Sequence, residues 1–88
     1  MQQRLLTIVN RLGLHARAAA KLVTLCSKFA SEVAIVVNGR RANGRQFIAI
    51  LLLSASMGSK VSIEVNGPDE LEAMTAVSRL IGTGFGEN

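Results

Sequence analysis

The chain has 88 residues, 49% of them apolar and 18% charged. This is a single domain spanning 1–88, too apolar to be disordered, and its longest apolar run, Phe47 to Leu53, is too short for the roughly 20 residues that cross a bilayer. One cysteine, one histidine and a net charge of +4 exclude an internal disulfide and the usual zinc ligand sets and favour acidic partners.

No signal-peptide core follows Met1-Gln2-Gln3-Arg4, so a cytoplasmic protein without metal or cofactor is expected. Arg4 to Val9 reads as a strand with Leu6 and Ile8 on one face. Asn10-Arg11-Leu12-Gly13 breaks it. From Ala16 the period becomes helical, with Ala19, Leu22, Val23, Cys26, Phe29 and Ala30 on the apolar side. Val33, Ile35 and Val37 alternate as a second strand. Asn38-Gly39 is a hairpin signal, so Arg40–Asn43 should pair back. Gln46 to Ser54 is too apolar for periodicity to choose between helix and strand. Lys60 to Asn66 alternates strictly and is the clearest strand. Asp69 with Glu72 has the spacing of a capping box. Ala73, Met74, Val77, Leu80 and Ile81 then mark an amphipathic helix, and Gly82, Gly84 and Gly86 should fray its end. The order is β-α-β-β-α-β-α, an α+β fold with helices packed on one face of a sheet. Element order alone also fits a ferredoxin-like arrangement.

Chemistry concentrates in Gly13-Leu14-His15-Ala16-Arg17-Ala18-Ala19-Ala20-Lys21. The only histidine stands where the first helix begins, in the place normally taken by Ser, Thr, Asp or Asn. Small alanines behind it leave first-turn N–H groups open, and with the positive end of the helix dipole these suit an anion. Arg17 adds a guanidinium fork suited to phosphate or carboxylate oxygens. Gly13 lets the backbone turn sharply. The parts fit a nucleophilic imidazole beside a phosphate-sized anion site, in a field that disfavours the imidazolium. On spacing alone, an ordinary histidine at a helix start and a solvated arginine explain the same residues.

The segment Asn10-Arg11-Leu12-Gly13-Leu14-His15-Ala16-Arg17 closely resembles the active-site segment of HPr, the histidine phosphocarrier family of the bacterial phosphotransferase system. The resemblance continues through Val37-Asn38-Gly39, Phe47 to Leu53, Gly58-Ser59-Lys60 and Gly67 to Ala73. The ending Gly84-Phe85-Gly86-Glu87 resembles the nitrogen-related NPr branch. This resemblance implies an open-faced β-sandwich, a four-stranded antiparallel sheet under three helices. It implies that enzyme I phosphorylates His15 on Nδ1 and that the group passes on to a histidine of an enzyme IIA domain. Arg17 would then neutralise the phosphoryl oxygens, and the backbone N–H groups of Ala16 and Arg17 would hold them. If Phe47 to Leu53 is a helix, Phe47, Ile48 and Leu51 form one stripe at i, i+1 and i+4 with Ile50, Leu53 and Ala49 turned to the core, either an exposed docking stripe or part of a fully buried helix. The resemblance places that stripe, with Ala20, beside His15 and so favours an exposed docking surface.

Two positions depart from the family pattern. Ala18 stands where proline is usual, and both fit a helix's first turn. Gln46 stands where many members carry a serine that a kinase modifies; it has no hydroxyl to modify. Two other functions compete. A regulatory binding module of the same fold without transfer would not need both His15 and Arg17. A nucleic-acid module would need stacking aromatics or a Gly-x-x-Gly loop, and the chain has neither. A carrier that shows one site to two partners is most simply a monomer.

Overall fold

The computed structural model describes residues 1–87. Strands β1 (Gln2–Thr7), β2 (Glu32–Val37), β3 (Arg40–Asn43) and β4 (Lys60–Asn66) alternate with helices α1 (Ala16–Cys26), α2 (Phe47–Leu52) and α3 (Glu70–Gly82), and a 3₁₀ turn follows at Gly84–Gly86. The four strands form one antiparallel sheet in the order β1-β4-β2-β3. That order settles the topology which the sequence of elements left open. The β2–β3 pair is the Asn38-Gly39 hairpin, with Val37 opposite Arg40 and both turn residues at positive φ, as the tight hairpin turn demands.

The period-2 patterning decides which sheet face is covered. Val33, Ile35 and Val37 of β2 and Val61, Ile63 and Val65 of β4 are all buried, and Ile35 lies directly opposite Ile63. Each such side chain contributes about 1.5–3 kcal/mol by leaving water. Ala18, Ala19, Leu22 and Cys26 of α1, Ile50 of α2, and Ala73, Met74, Val77 and Ile81 of α3 close this core from above. Burial pushes the Cys26 thiol up to about 11, so it packs as a small apolar group. The sheet's other face carries Leu5, which is exposed, and the Arg41–Glu64 pair.

Several expected boundaries and contacts differ. The first strand begins two residues earlier than expected, at Gln2. Helix α1 stops at Cys26, where the Ser27 hydroxyl donates back to the Val23 carbonyl at 2.8 Å; Phe29 packs against the core from the turn beyond. The Asp69–Glu72 capping box does not form, because Asp69 makes no cap bond to its own helix. Its carboxylate is occupied by the Ala30 and Ser31 N–H groups, at 2.9 Å each, and by the Ser31 hydroxyl. A tertiary tie between the α1–β2 turn and α3 has taken the place of a local cap. The glycines after α3 do not fray either: Gly84 and Phe85 are buried.

Candidate functional site

The segment leading into α1 is clamped from both sides. Past the end of β1, the Ile8 N–H donates to the Ser59 carbonyl at 2.9 Å and the Gly58 N–H to the Ile8 carbonyl at 2.7 Å. Asn10 is buried and donates to the Gly13 carbonyl at 2.8 Å. Gly13 has φ of +64°, and a Cβ there would sit 2.3 Å from the Ala55 carbonyl oxygen. Only glycine meets both demands. The close approach lets the Leu14 N–H donate to that same oxygen at 2.8 Å. His15 is thereby delivered to the start of α1 on a rigid turn.

His15 is the N-cap of α1, with extended backbone, and its Nδ1 accepts from the Arg17 N–H at 3.2 Å. The imidazole thus does what a serine or aspartate oxygen does at an ordinary cap. No acidic residue stands in the first turn. Ala16 and the Arg17 side chain are exposed, the latter 70% so. First-turn amides and a positive dipole end therefore lie beside Nδ1, with the solvent-exposed Arg17 side chain on the same turn, the combination that attracts a phosphate. Among the described residues, no group of three His, Cys, Asp or Glu side chains is placed to hold a metal ion.

Glu87 completes the site, and the sequence reading did not single it out. Its Oε2 lies 2.5 Å from His15 Nε2 and 3.9 Å from Arg17 Nε. Its Oε1 accepts from Asn10 Nδ2 at 2.9 Å. The Asn10 bond first, then His15 and the positive charge of Arg17, hold the Glu87 carboxyl below the usual range against some opposing desolvation. The field expected at His15 was purely positive; Glu87 adds a negative charge on the far side of the ring.

Glu87 arrives there through the turn that was expected to fray. Gly84 and Gly86 take φ of +65° and +75°, and Phe85, itself at +58°, is buried between them. The Lys21 ammonium on α1 donates to the Phe85 carbonyl at 2.6 Å. Two glycines flanking an aromatic residue were the only sequence sign of this return.

The expected docking residues are not uniformly exposed. Ala20 is exposed on α1. On α2, which packs against α1, Ile48 is 62% exposed. Phe47 and Leu51 are half-buried against the core, a correction to the expectation of a fully exposed stripe. Leu52, 64% exposed, shares the outward face with Ile48, because residues four apart stack on one side of a helix. Ile50 and Leu53 face inward as expected and are buried, and Ala49 is half-buried.

Residues 2–83 match the family described as "PTS HPr component phosphorylation site". The chain is 48% identical over 87 residues to "Phosphocarrier protein HPr" of Cupriavidus necator, covering 99% of this chain and 98% of the relative. It is 42% identical over 82 residues to "Phosphocarrier protein NPr" of Klebsiella oxytoca, covering 92% and 91%. A crystal structure of HPr-C-His from Thermoanaerobacter tengcongensis superposes with a TM-score of 0.96 at 36% identity, covering 100% of this chain and 99% of the other. A crystal structure of an HPr dimer from the same organism gives 0.79 at 37% identity, covering 99% and 100%.

Proposed function

The chain belongs to the HPr family, the phosphocarrier proteins of the phosphotransferase system, and from that premise we propose that it carries a phosphoryl group on Nδ1 of His15. Enzyme I is the donor and a histidine of an enzyme IIA domain is the acceptor. The observation that carries this reading is the pairing of the two ring nitrogens. Nδ1 accepts a backbone N–H, so it has a lone pair facing the anion site. That lone pair attacks the donor's phosphorus, an N–P bond forms, and the donor's own bond to phosphorus breaks with its electron pair returning to the donor. The Arg17 N–H is then released from the ring and joins the Ala16 N–H in holding phosphoryl oxygens, while the Arg17 side chain neutralises their charge. Each charge-assisted bond is worth roughly 1.5–3 kcal/mol. The exposure of the site keeps the product reactive enough to pass on.

Both partners dock, in this reading, over Ala20, Phe47, Ile48 and Leu51, with exposed Ile48 and its neighbour Leu52 on the outward face of α2 supplying the apolar contact. Among the described residues, no helix is long and apolar enough to cross a membrane, and a cytoplasmic monomer suits a shuttle between partners. Incubation with phosphoenolpyruvate and enzyme I tests the acceptor by intact mass. The expected result is one acid-labile phosphate, with none on His15→Ala. A phosphate that persists on His15→Ala overturns the assignment.

A further inference from the structure

We infer that Glu87 is a positioning residue for phosphoryl transfer, held by Asn10 so that its carboxylate keeps the proton of His15 on Nε2. The inference rests on the reading of His15 as the acceptor. An ionised carboxylate only accepts, and a backbone N–H only donates. Glu87 stands at Nε2 and the Arg17 N–H at Nδ1. The one protonation state that satisfies both neighbours is neutral imidazole with its proton on Nε2. An imidazolium would set an Nδ1 proton against the Arg17 N–H, and the opposite tautomer would do so while leaving two unprotonated acceptors facing each other at Nε2.

The arrangement has a consequence for each half of the cycle. When Nδ1 bonds to phosphorus, the ring keeps its Nε2 proton and becomes positively charged. Glu87 balances that charge, as a carboxylate does behind a histidine base. When the group departs, the N–P electron pair returns to Nδ1 and the ring leaves as neutral imidazole. A phosphorylated ring that had lost the Nε2 proton would have to leave as an imidazolate, a far poorer leaving group. Holding the Nε2 proton therefore serves acceptance and donation alike. Asn10 is what aims the carboxylate. Its two amide hydrogens go to the Gly13 carbonyl and to Glu87 Oε1, while its buried Oδ1 has no protein partner among the described residues. Its orientation is thus set by what it donates, and one of those bonds runs from the His15 turn itself.

The test compares the parent protein with Glu87→Gln and Glu87→Ala. Imidazole ¹⁵N spectra are recorded at about pH 8, above the ordinary histidine value of about 6.5. The parent should show the Nε2–H pattern alone, Glu87→Gln should retain most of it through its carbonyl oxygen, and Glu87→Ala should show a mixture of tautomers. Phosphoryl acceptance from enzyme I should fall about tenfold in Glu87→Ala, by analogy with the lower end of what losing the carboxylate partner of a metal-bound histidine costs. Glu87→Gln should fall between, because it keeps the direction and loses the charge. An unchanged tautomer in Glu87→Ala, with unchanged acceptance, overturns the inference. The spectra decide the role of Glu87 even if the parent accepts no phosphoryl group, an outcome that would instead defeat the carrier reading.

Discussion

Helices α1 and α3 begin in opposite electrostatic styles. The first turn of α3 carries Glu70 and Glu72, and the Glu70 carboxylate reaches back to the Gly67 N–H at 3.2 Å. The chain's own acids occupy that positive end. The first turn of α1 carries no acid; it has alanines, Arg17 and a histidine cap. Its nearest carboxylate, Glu87, sits behind the ring at Nε2 and not on the amides. One helix spends its dipole on stability and the other keeps it for a transient anion. What distinguishes a binding helix end from a structural one is which residues are withheld from the first turn.

The largest way to break this contrast is to remove the added cation. Arg17→Ala should slow phosphoryl acceptance roughly tenfold to a hundredfold, since a lost charge-assisted bond of about 1.5–3 kcal/mol converts at 1.4 kcal/mol per decade. The melting temperature should hold, because the side chain is mostly solvent-exposed. Stopped-flow transfer from phosphorylated enzyme I measures the first, and thermal unfolding the second. A rate within twofold of the parent would leave the backbone amides as the whole anion site.

At the other end, Asp69→Asn probes the helix whose acids are structural. The Ser31 hydroxyl first, then the Ala30 N–H, hold the Asp69 carboxyl below the usual carboxylate range. A depressed folded value means that the ionised group stabilises the native state above its unfolded value, about 3.9, and that this is lost as pH falls through the folded value. Asp69→Asn should therefore unfold at lower urea than the parent at pH 7, and the gap between the two midpoints should close as the pH falls through the folded value. Phosphoryl acceptance at His15 should be unaffected. A constant gap between the midpoints at every pH would mean that the charge of Asp69 contributes nothing.

The same contrast explains what could be read from the chain alone. Strands β2 and β4 and helix α3 were legible because apolar residues repeat at the period of their own element, and burial simply follows. His15 and Arg17 stood out because the only histidine opens a helix start without an acid, but spacing alone fits an ordinary cap equally well, and the resemblance of Asn10 to Arg17 to the HPr segment is what singled them out. Glu87 was not, since its partners His15 and Asn10 lie 72 and 77 positions away and no local period joins them. The Asp69 capping box does not form for a related reason: a three-residue spacing cannot show that Ser31, 38 positions away, competes for the carboxylate. Helix α2 is so apolar that its pattern could not grade exposure along the outward stripe. Only packing against α1 and β3 separates exposed Ile48 from half-buried Phe47 and Leu51.

Helix α2 offers a third N-terminus in which to place an acid. Ile48 is the second residue of α2, so Ile48→Asp would copy the acidic first turn of α3 at the centre of the proposed docking surface. Stability should change by no more than about 0.5 kcal/mol, the usual range for an exposed site, with the dipole tending to favour the acid. Association with enzyme I should weaken severalfold, because the carboxylate must be desolvated in the complex. Titration by NMR gives the affinity and thermal unfolding the stability. Loss of the fold would show that Ile48 belongs to the core and not to a docking face.

The smallest effect is expected one residue before α2. Gln46 is its N-cap, with extended backbone and no side-chain bond to the first turn. Serine in that conformation can accept a first-turn N–H through its short side chain, which glutamine is too long to do, and good caps are worth about 0.5–2 kcal/mol over residues that do not cap. For a helix of six residues, Gln46→Ser should fall at the lower end, raising the melting temperature by a few degrees at most. Phosphoryl acceptance at His15 should stay at the parent rate, since the hydroxyl is neutral. The substitution also creates what the parent lacks. Offered to an HPr serine kinase with ATP, Gln46→Ser should gain a phosphate of about −1.5 to −2 charge next to Phe47 and Ile48, and that form should dock poorly on enzyme I. The unmodified chain should remain unphosphorylated under the same conditions. If the kinase instead modifies Ser54 or Ser56 of the parent and docking fails, the control point lies at the far end of α2, and position 46 has no special standing.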